Sequence, residues 1–157
     1  MPLHSMGGMV EALGIYTATL VAGVLTGLIP VLNGELFLLG VVRLCTDDAA
    51  GCIALGILMA FGQMIAKVFL YQAARKATNL GRGRFAEKLR LARTKVERWR
   101  NKPLTITFVS AVFGLPPFYL VTLAAGILEI RFVAFLWLGI VGRLIRFISL
   151  ALIISYV

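Results

Sequence analysis

The sequence predicts an all-α integral membrane protein, built as an inverted repeat of a re-entrant hairpin plus a transmembrane helix, with a basic amphipathic cytoplasmic helix between the copies. Three observations predict it. Of 157 residues, 60% are hydrophobic, and the mean hydropathy is +0.93, more apolar than a soluble domain of this size can hide. The net charge of +9 is gathered in one place: Arg75 to Lys102 holds eleven Lys/Arg and two Glu, while the rest holds five basic and five acidic residues. The long uncharged stretches are broken by Pro and Gly at corresponding places in the two halves. An apolar body with one basic segment excludes a nucleic-acid-binding globule and reads as a single membrane domain over 1–157.

The first repeat covers 9–74. Its first stretch, 9–44, is too long for one span and short for two. It breaks at Gly27-Leu28-Ile29-Pro30 and again at Asn33-Gly34. Proline removes a backbone donor and clashes with the preceding turn, so 9–44 reads as re-entrant. Residues 51–74 follow as a transmembrane helix of ordinary length. Between them, Cys45 and Cys52 flank a short loop. They are either two separate small side chains or a disulfide, if the loop faces an oxidising compartment. No metal site is expected from this spacing, and no cofactor.

The segment 75–102 is expected to be helical. Phe85, Leu89, Ala92, Val96 and Trp99 share one face, and Arg90, Arg93, Lys95, Arg98 and Arg100 fill the rest. Arg90, Arg93, Arg98, Trp99 and Arg100 are candidates for contact with anionic headgroups at the membrane surface. The alternative is a plain linker and topology anchor.

The second repeat covers 103–157. Residues 104–128 break at Gly114-Leu115-Pro116-Pro117 into arms of about a dozen residues, which suits a re-entrant hairpin. Residues 132–157 form the last transmembrane helix. Pro30 precedes Gly40 by ten residues, as Pro116 precedes Gly126. Interrupted segments paired across two halves point to an inverted-repeat core. The positive-inside bias puts 75–102 in the cytoplasm and both termini outside. No Lys or Arg precedes Arg43, so a basic signal-peptide region is not expected.

Charges inside these stretches are the functional candidates, because an ionisable group at membrane depth is costly. Arg143 and Arg146 lie roughly 18 and 22 Å along the last helix from Arg131. With Gly139 and Gly142 they share a face that could floor a groove carrying two cations. An arginine fork suits phosphate, so an anionic headgroup is a natural ligand. Glu35 sits where the first hairpin turns and is expected to pair with Arg143 or Arg146. Lys67 shares a stripe with Ala60, Gln63 and Tyr71, and its closeness to Arg75 predicts that it snorkels to the surface. Asn33 and Tyr119 are hairpin polar groups that either meet substrate or cap freed backbone groups.

The motifs Gly114-Leu115-Pro116-Pro117-Phe118-Tyr119, Ala125-Gly126 and Gly142-Arg143-Leu144-Ile145-Arg146-Phe147 resemble the second half of the VTT domain. This is the DedA (SNARE-associated Golgi protein) superfamily, in its short bacterial YqaA-like form. Ile29-Pro30-Val31-Leu32-Asn33-Gly34-Glu35 resembles its first re-entrant signature, although the acid stands five residues after Pro30 rather than four after the first of two prolines. The resemblance implies opposed re-entrant loops in a bacterial inner membrane. It also implies a lipid scramblase or a carrier for a lipid phosphate such as undecaprenyl phosphate, with Glu35, Arg143 and Arg146 as essential residues.

The expected function is therefore transport of an anionic lipid or lipid phosphate between leaflets, with membrane lipids as partners and no nucleic acid. A small proton-coupled exporter of cations and a non-transporting scaffold are the alternatives. Buried arginines weigh against a cationic cargo. An enzyme is not expected: His4 stands alone, and no nucleophile–base pair is evident. Small residues along 51–74 (Gly56, Ala60, Gly62, Ala66) permit close packing, either within the chain or in a homo-oligomer.

Overall fold

The computed structural model describes residues 3–45, 48–79, 87, 91, 94, 97 and 101–156. Among these the regular elements are six α-helices: α1 (Leu3–Leu28), α2 (Gly34–Cys45), α3 (Ala49–Asn79), α4 (Pro103–Phe113), α5 (Phe118–Ile127) and α6 (Phe132–Tyr156). Three have the length and composition of membrane spans, over Val10–Leu28, Ala49–Thr78 and Phe132–Ile154. The basic residues Arg90, Arg93, Arg98, Trp99 and Arg100, and the apolar face from Phe85 to Trp99, lie outside the described residues.

Both predicted breaks are present. α1 ends ahead of Pro30, whose turn is closed by the Leu32 amide donating to the Ile29 carbonyl at 3.1 Å. Between α4 and α5, Gly114 adopts φ 76°, a left-handed conformation that a Cβ disfavours. Its amide caps α4 by donating to the Ser110 carbonyl at 2.8 Å. Pro103 opens α4 at a position where no backbone donor is missed.

The outer arm of the first hairpin differs from expectation. It begins at Leu3 rather than 9, and its 19-residue apolar window is long enough by itself to cross a membrane. Glycine costs a helix only about 1 kcal/mol per residue, so Gly7, Gly8 and Gly14 leave the apolar run uninterrupted. α3 is also longer than 51–74. It starts at an Asp48 cap, whose Oδ2 accepts from the Gly51 amide at 3.0 Å.

The chain divides into two compact units, Met1–Gln63 with Leu144–Val157 and Met64–Arg143. In the first, α1 and α2 form a hairpin braced by the N-terminal part of α3 and the C-terminal part of α6. Its core gathers Leu38, Val42, Cys52, Leu55, Met59, Phe147 and Ala151. Cys52 is a free, buried thiol, and the side chain of Cys45 lies outside the described residues. The small residues act inside the chain. A Cβ on Gly23 would come within 2.9 Å of the Met59 carbonyl oxygen, and one on Gly62 would strike the Leu20 carbonyl. Gly56 meets the backbone at Phe147 and Ile148.

In the second unit, α4 and α5 form the hairpin, braced by the remaining parts of α3 and α6. Its core is aromatic. Tyr71 stacks on Phe135 with centroids 5.0 Å apart, and Phe135 stacks on Phe118 at 6.2 Å. The buried Tyr71 hydroxyl donates to the Ile130 carbonyl, pinning the turn that leads into α6. Gly126 fits against the α3 backbone at Tyr71 and Arg75.

Candidate functional site

Two charged sites emerge, one in each unit. In the first unit, Asn33 organises the start of α2. Its Oδ1 accepts from the Glu35 amide at 2.9 Å and more weakly from Leu36 at 3.4 Å. This is an N-cap, which satisfies donors that the helix cannot. Asn33 therefore shapes the turn through its Oδ1. Pro30 acts likewise, by ending α1. Gly34 is buried where a Cβ would meet Gln63 Nε2 at 2.6 Å, together with Met59 and Thr26. Gln63 Nε2 in turn donates to Thr26 Oγ1 at 3.1 Å, tying α3 to α1.

The capped turn presents Glu35 in the first turn of α2, where a carboxylate is favoured by the helix dipole. Arg146 reaches it from α6, its Nε donating to Oε1 at 2.9 Å. Nη2 donates to the same oxygen. The arginine side chain is 18% exposed and the carboxylate 41%. The pair joins residues 111 positions apart, and Glu35 is thereby held by Arg146.

Among the described residues of the second unit, two cations are buried: Lys67 is 4% exposed and Arg143 is 8% exposed. Lys67 does not snorkel. Its Nζ lies 5.1 Å from the centroid of the Tyr119 ring. An aromatic face attracts a cation through its quadrupole, and the folded hairpin places that face within reach of the side chain. Arg143 Cζ lies 4.5 Å from the centroid of Phe118. The two cations are close enough to feel each other's charge.

Pro116 and Pro117 set this geometry from behind. Ser110 Oγ donates to the Pro116 carbonyl. The Pro117 carbonyl accepts from Leu120 at 2.9 Å and Val121 at 3.2 Å, opening α5. Both prolines serve through their backbone, so that the next two residues, Phe118 and Tyr119, face the cations.

Gly139 and Gly142 do not floor an open groove. A Cβ on Gly139 would meet Met64 Cε at 2.6 Å and Phe118 Cζ at 3.4 Å, and one on Gly142 would meet Ala111 Cβ at 2.5 Å. Their missing side chains are used to close α6 onto its neighbours, since packed interiors leave no such void. Phe118 is the residue that sequence reasoning missed. Its signal was an aromatic beside Tyr119 directly after a Pro-Pro break, in a chain with unexplained membrane cations.

In comparisons with family models, curated proteins and solved structures, nothing matches this chain.

Proposed function

We propose that the protein moves an anionic lipid or lipid phosphate between the leaflets of a bacterial inner membrane. The observation that carries this reading is the burial of Lys67 and Arg143, 4% and 8% exposed, inside helices apolar enough to cross a bilayer. Charges at such positions are costly and mark substrate or ion pathways. Two cations attract an anion and repel a cationic cargo.

The architecture supports the same reading. Each unit is a helical hairpin braced by parts of the same two long helices, α3 and α6, a division compatible with an inverted repeat. α4 and α5, with eleven and ten residues, are about 15–17 Å long against a hydrocarbon core of about 30 Å. Each is too short to cross, so the pair enters and leaves on one side. The resemblance of the Pro30–Glu35, Gly114–Tyr119 and Gly142–Phe147 segments to the VTT domain points the same way. In this reading the basic segment 75–102 is cytoplasmic. The Glu35–Arg146 pair is a latch, opened when an anionic headgroup competes for the guanidinium.

The test is reconstitution of the full chain into liposomes with fluorescent lipids in one leaflet. Protein-dependent exchange of an anionic lipid supports transport. Cation uptake without lipid exchange would replace it with an exporter, and neither activity would leave a scaffold.

A further inference from the structure

The open end of the α4–α5 hairpin holds a recess of about 190 Å³, open space at its mouth included. Pro103, Ile106 and Thr107 line it from α4, Ala125 and Leu128 from the end of α5, and Ile130 from the turn beyond. From Pro103 to Thr107 it runs about 6 Å along the helix. Thr107 carries the one hydroxyl in the lining. It is fully buried, and that hydroxyl donates to the Pro103 carbonyl at 2.8 Å. With its hydroxyl committed in this way, the lining favours hydrocarbon over water.

The rim has the opposite character. Lys102 directly precedes Pro103, Arg131 directly follows Ile130, and both are exposed. Arg75 is exposed as well, and its backbone nitrogen lies 3.2 Å from where a Cβ on Gly126 would stand, next to the lining residue Ala125. Glu129, also exposed, is the acid in the same turn. Three cations against one carboxylate make this rim net positive. The Tyr71 hydroxyl, donating to the Ile130 carbonyl, holds the turn that carries Arg131 against α3, one helical turn before Arg75.

We propose that this hairpin mouth binds an anionic phospholipid that stays with the protein. Its phosphate lies on the rim formed by Arg75, Lys102 and Arg131, and the first methylenes of one acyl chain enter the recess. Cations near a membrane surface draw anionic lipid, and burial of methylenes in the apolar lining separates a lipid from a free phosphate. A depth of about 6 Å suits the part of a chain next to the headgroup rather than its methyl end. The site uses neither Glu35, Arg143 nor Arg146, and it stands whether or not the protein moves lipid.

The test uses the full-length protein in detergent with a phosphatidylglycerol that carries a diazirine at an early carbon of one acyl chain. After illumination, labelled peptides are mapped and quantified by mass spectrometry. Label is expected in 103–107 and 125–130. Dihexanoyl phosphatidylglycerol is expected to compete for it at about tenfold lower concentration than dihexanoyl phosphatidylcholine. Lys102→Gln combined with Arg131→Gln removes two exposed charges and is expected to cut that label about tenfold. Label on the exposed α1 residues Val10 and Leu13 is expected to be unchanged. Leu128→Phe adds bulk to the lining and is expected to lower the label at the mouth as well.

Label confined to α1, or equal competition by the two short-chain lipids, overturns the site. A double variant that keeps its full label overturns the role of the rim, and a Leu128→Phe protein that keeps it overturns the chain seat. Glycerol phosphate competing as well as dihexanoyl phosphatidylglycerol would identify a site for free phosphate and overturn the lipid.

Discussion

Arg146 Nε donates to Glu35 Oε1 at 2.9 Å, joining α6 to the first turn of α2 across 111 residues of chain. Asn33 fixes that first turn by accepting from the Glu35 amide at 2.9 Å. The ion pair therefore rests on the cap beneath it, and the two can be separated by mutation.

For the ion pair, a double-mutant cycle of Glu35→Gln and Arg146→Gln should give a coupling of about 0.5–1 kcal/mol. The value is modest because the carboxylate is 41% exposed. Thermal unfolding of the wild type, both single variants and the double variant in one detergent supplies it. Strictly additive losses would show that the contact contributes nothing to stability.

For the cap, Asn33→Ala should cost about 1 kcal/mol, and Asn33→Asp should restore most of it, because either side chain can accept from the turn amides. If Asp failed to rescue, the role of Asn33 would lie in something other than its acceptor oxygen. The same melts measure both variants.

At the crossing of α1 and α3, Gly62→Ala places a Cβ against the Leu20 carbonyl. Backbone cannot yield as a flexible side chain does, so the loss should be about 2–3 kcal/mol. Gly14 provides the contrast. Nothing lies within 4 Å of its added Cβ, so Gly14→Ala should gain about 0.5–1 kcal/mol through helix propensity alone. Opposite signs in the midpoint shift are the expected result.

Tyr71→Phe removes the hydroxyl that meets the Ile130 carbonyl while keeping the stack on Phe135. The orphaned carbonyl should cost about 1–2 kcal/mol. Hydrogen exchange at residues 128–131 should rise with it. Unchanged exchange there would mean that the turn holds without its pin.

Glu129, in the same turn, is exposed and adopts φ 53°. A left-handed conformation costs an L-residue about 1–2 kcal/mol that glycine avoids. Glu129→Gly should therefore raise stability by about 1 kcal/mol. A lower unfolding midpoint would assign the carboxylate a stabilising role that offsets the strain.

Local chemistry made the element breaks readable. Pro30 and the Gly114–Pro117 run interrupt helices for reasons written in their own covalent structure, and the long apolar runs of α3 and α6 have few competing states. What depended on distant partners was not readable. Lys67 looks free to snorkel from its own helix alone, because the ring that holds it stands 52 positions away at Tyr119. Gly139 and Gly142 suggested a groove because a lone sequence shows missing side chains but not the Met64 and Ala111 that fill them. The length of α1 was missed for a milder reason. Each glycine near the start of α1 is only a small penalty within the helix, so the helix runs on to Leu3.

The contact of Gly23 with Gly62 has a mechanical consequence. Helices separated by ordinary side chains can slip past one another, because rotamers act as bearings. Bare backbone against bare backbone has no such play. α1 and the N-terminal part of α3 are therefore locked in register at this point, which fixes where α1 delivers the turn at 29–33 and, behind it, the helix that carries Glu35.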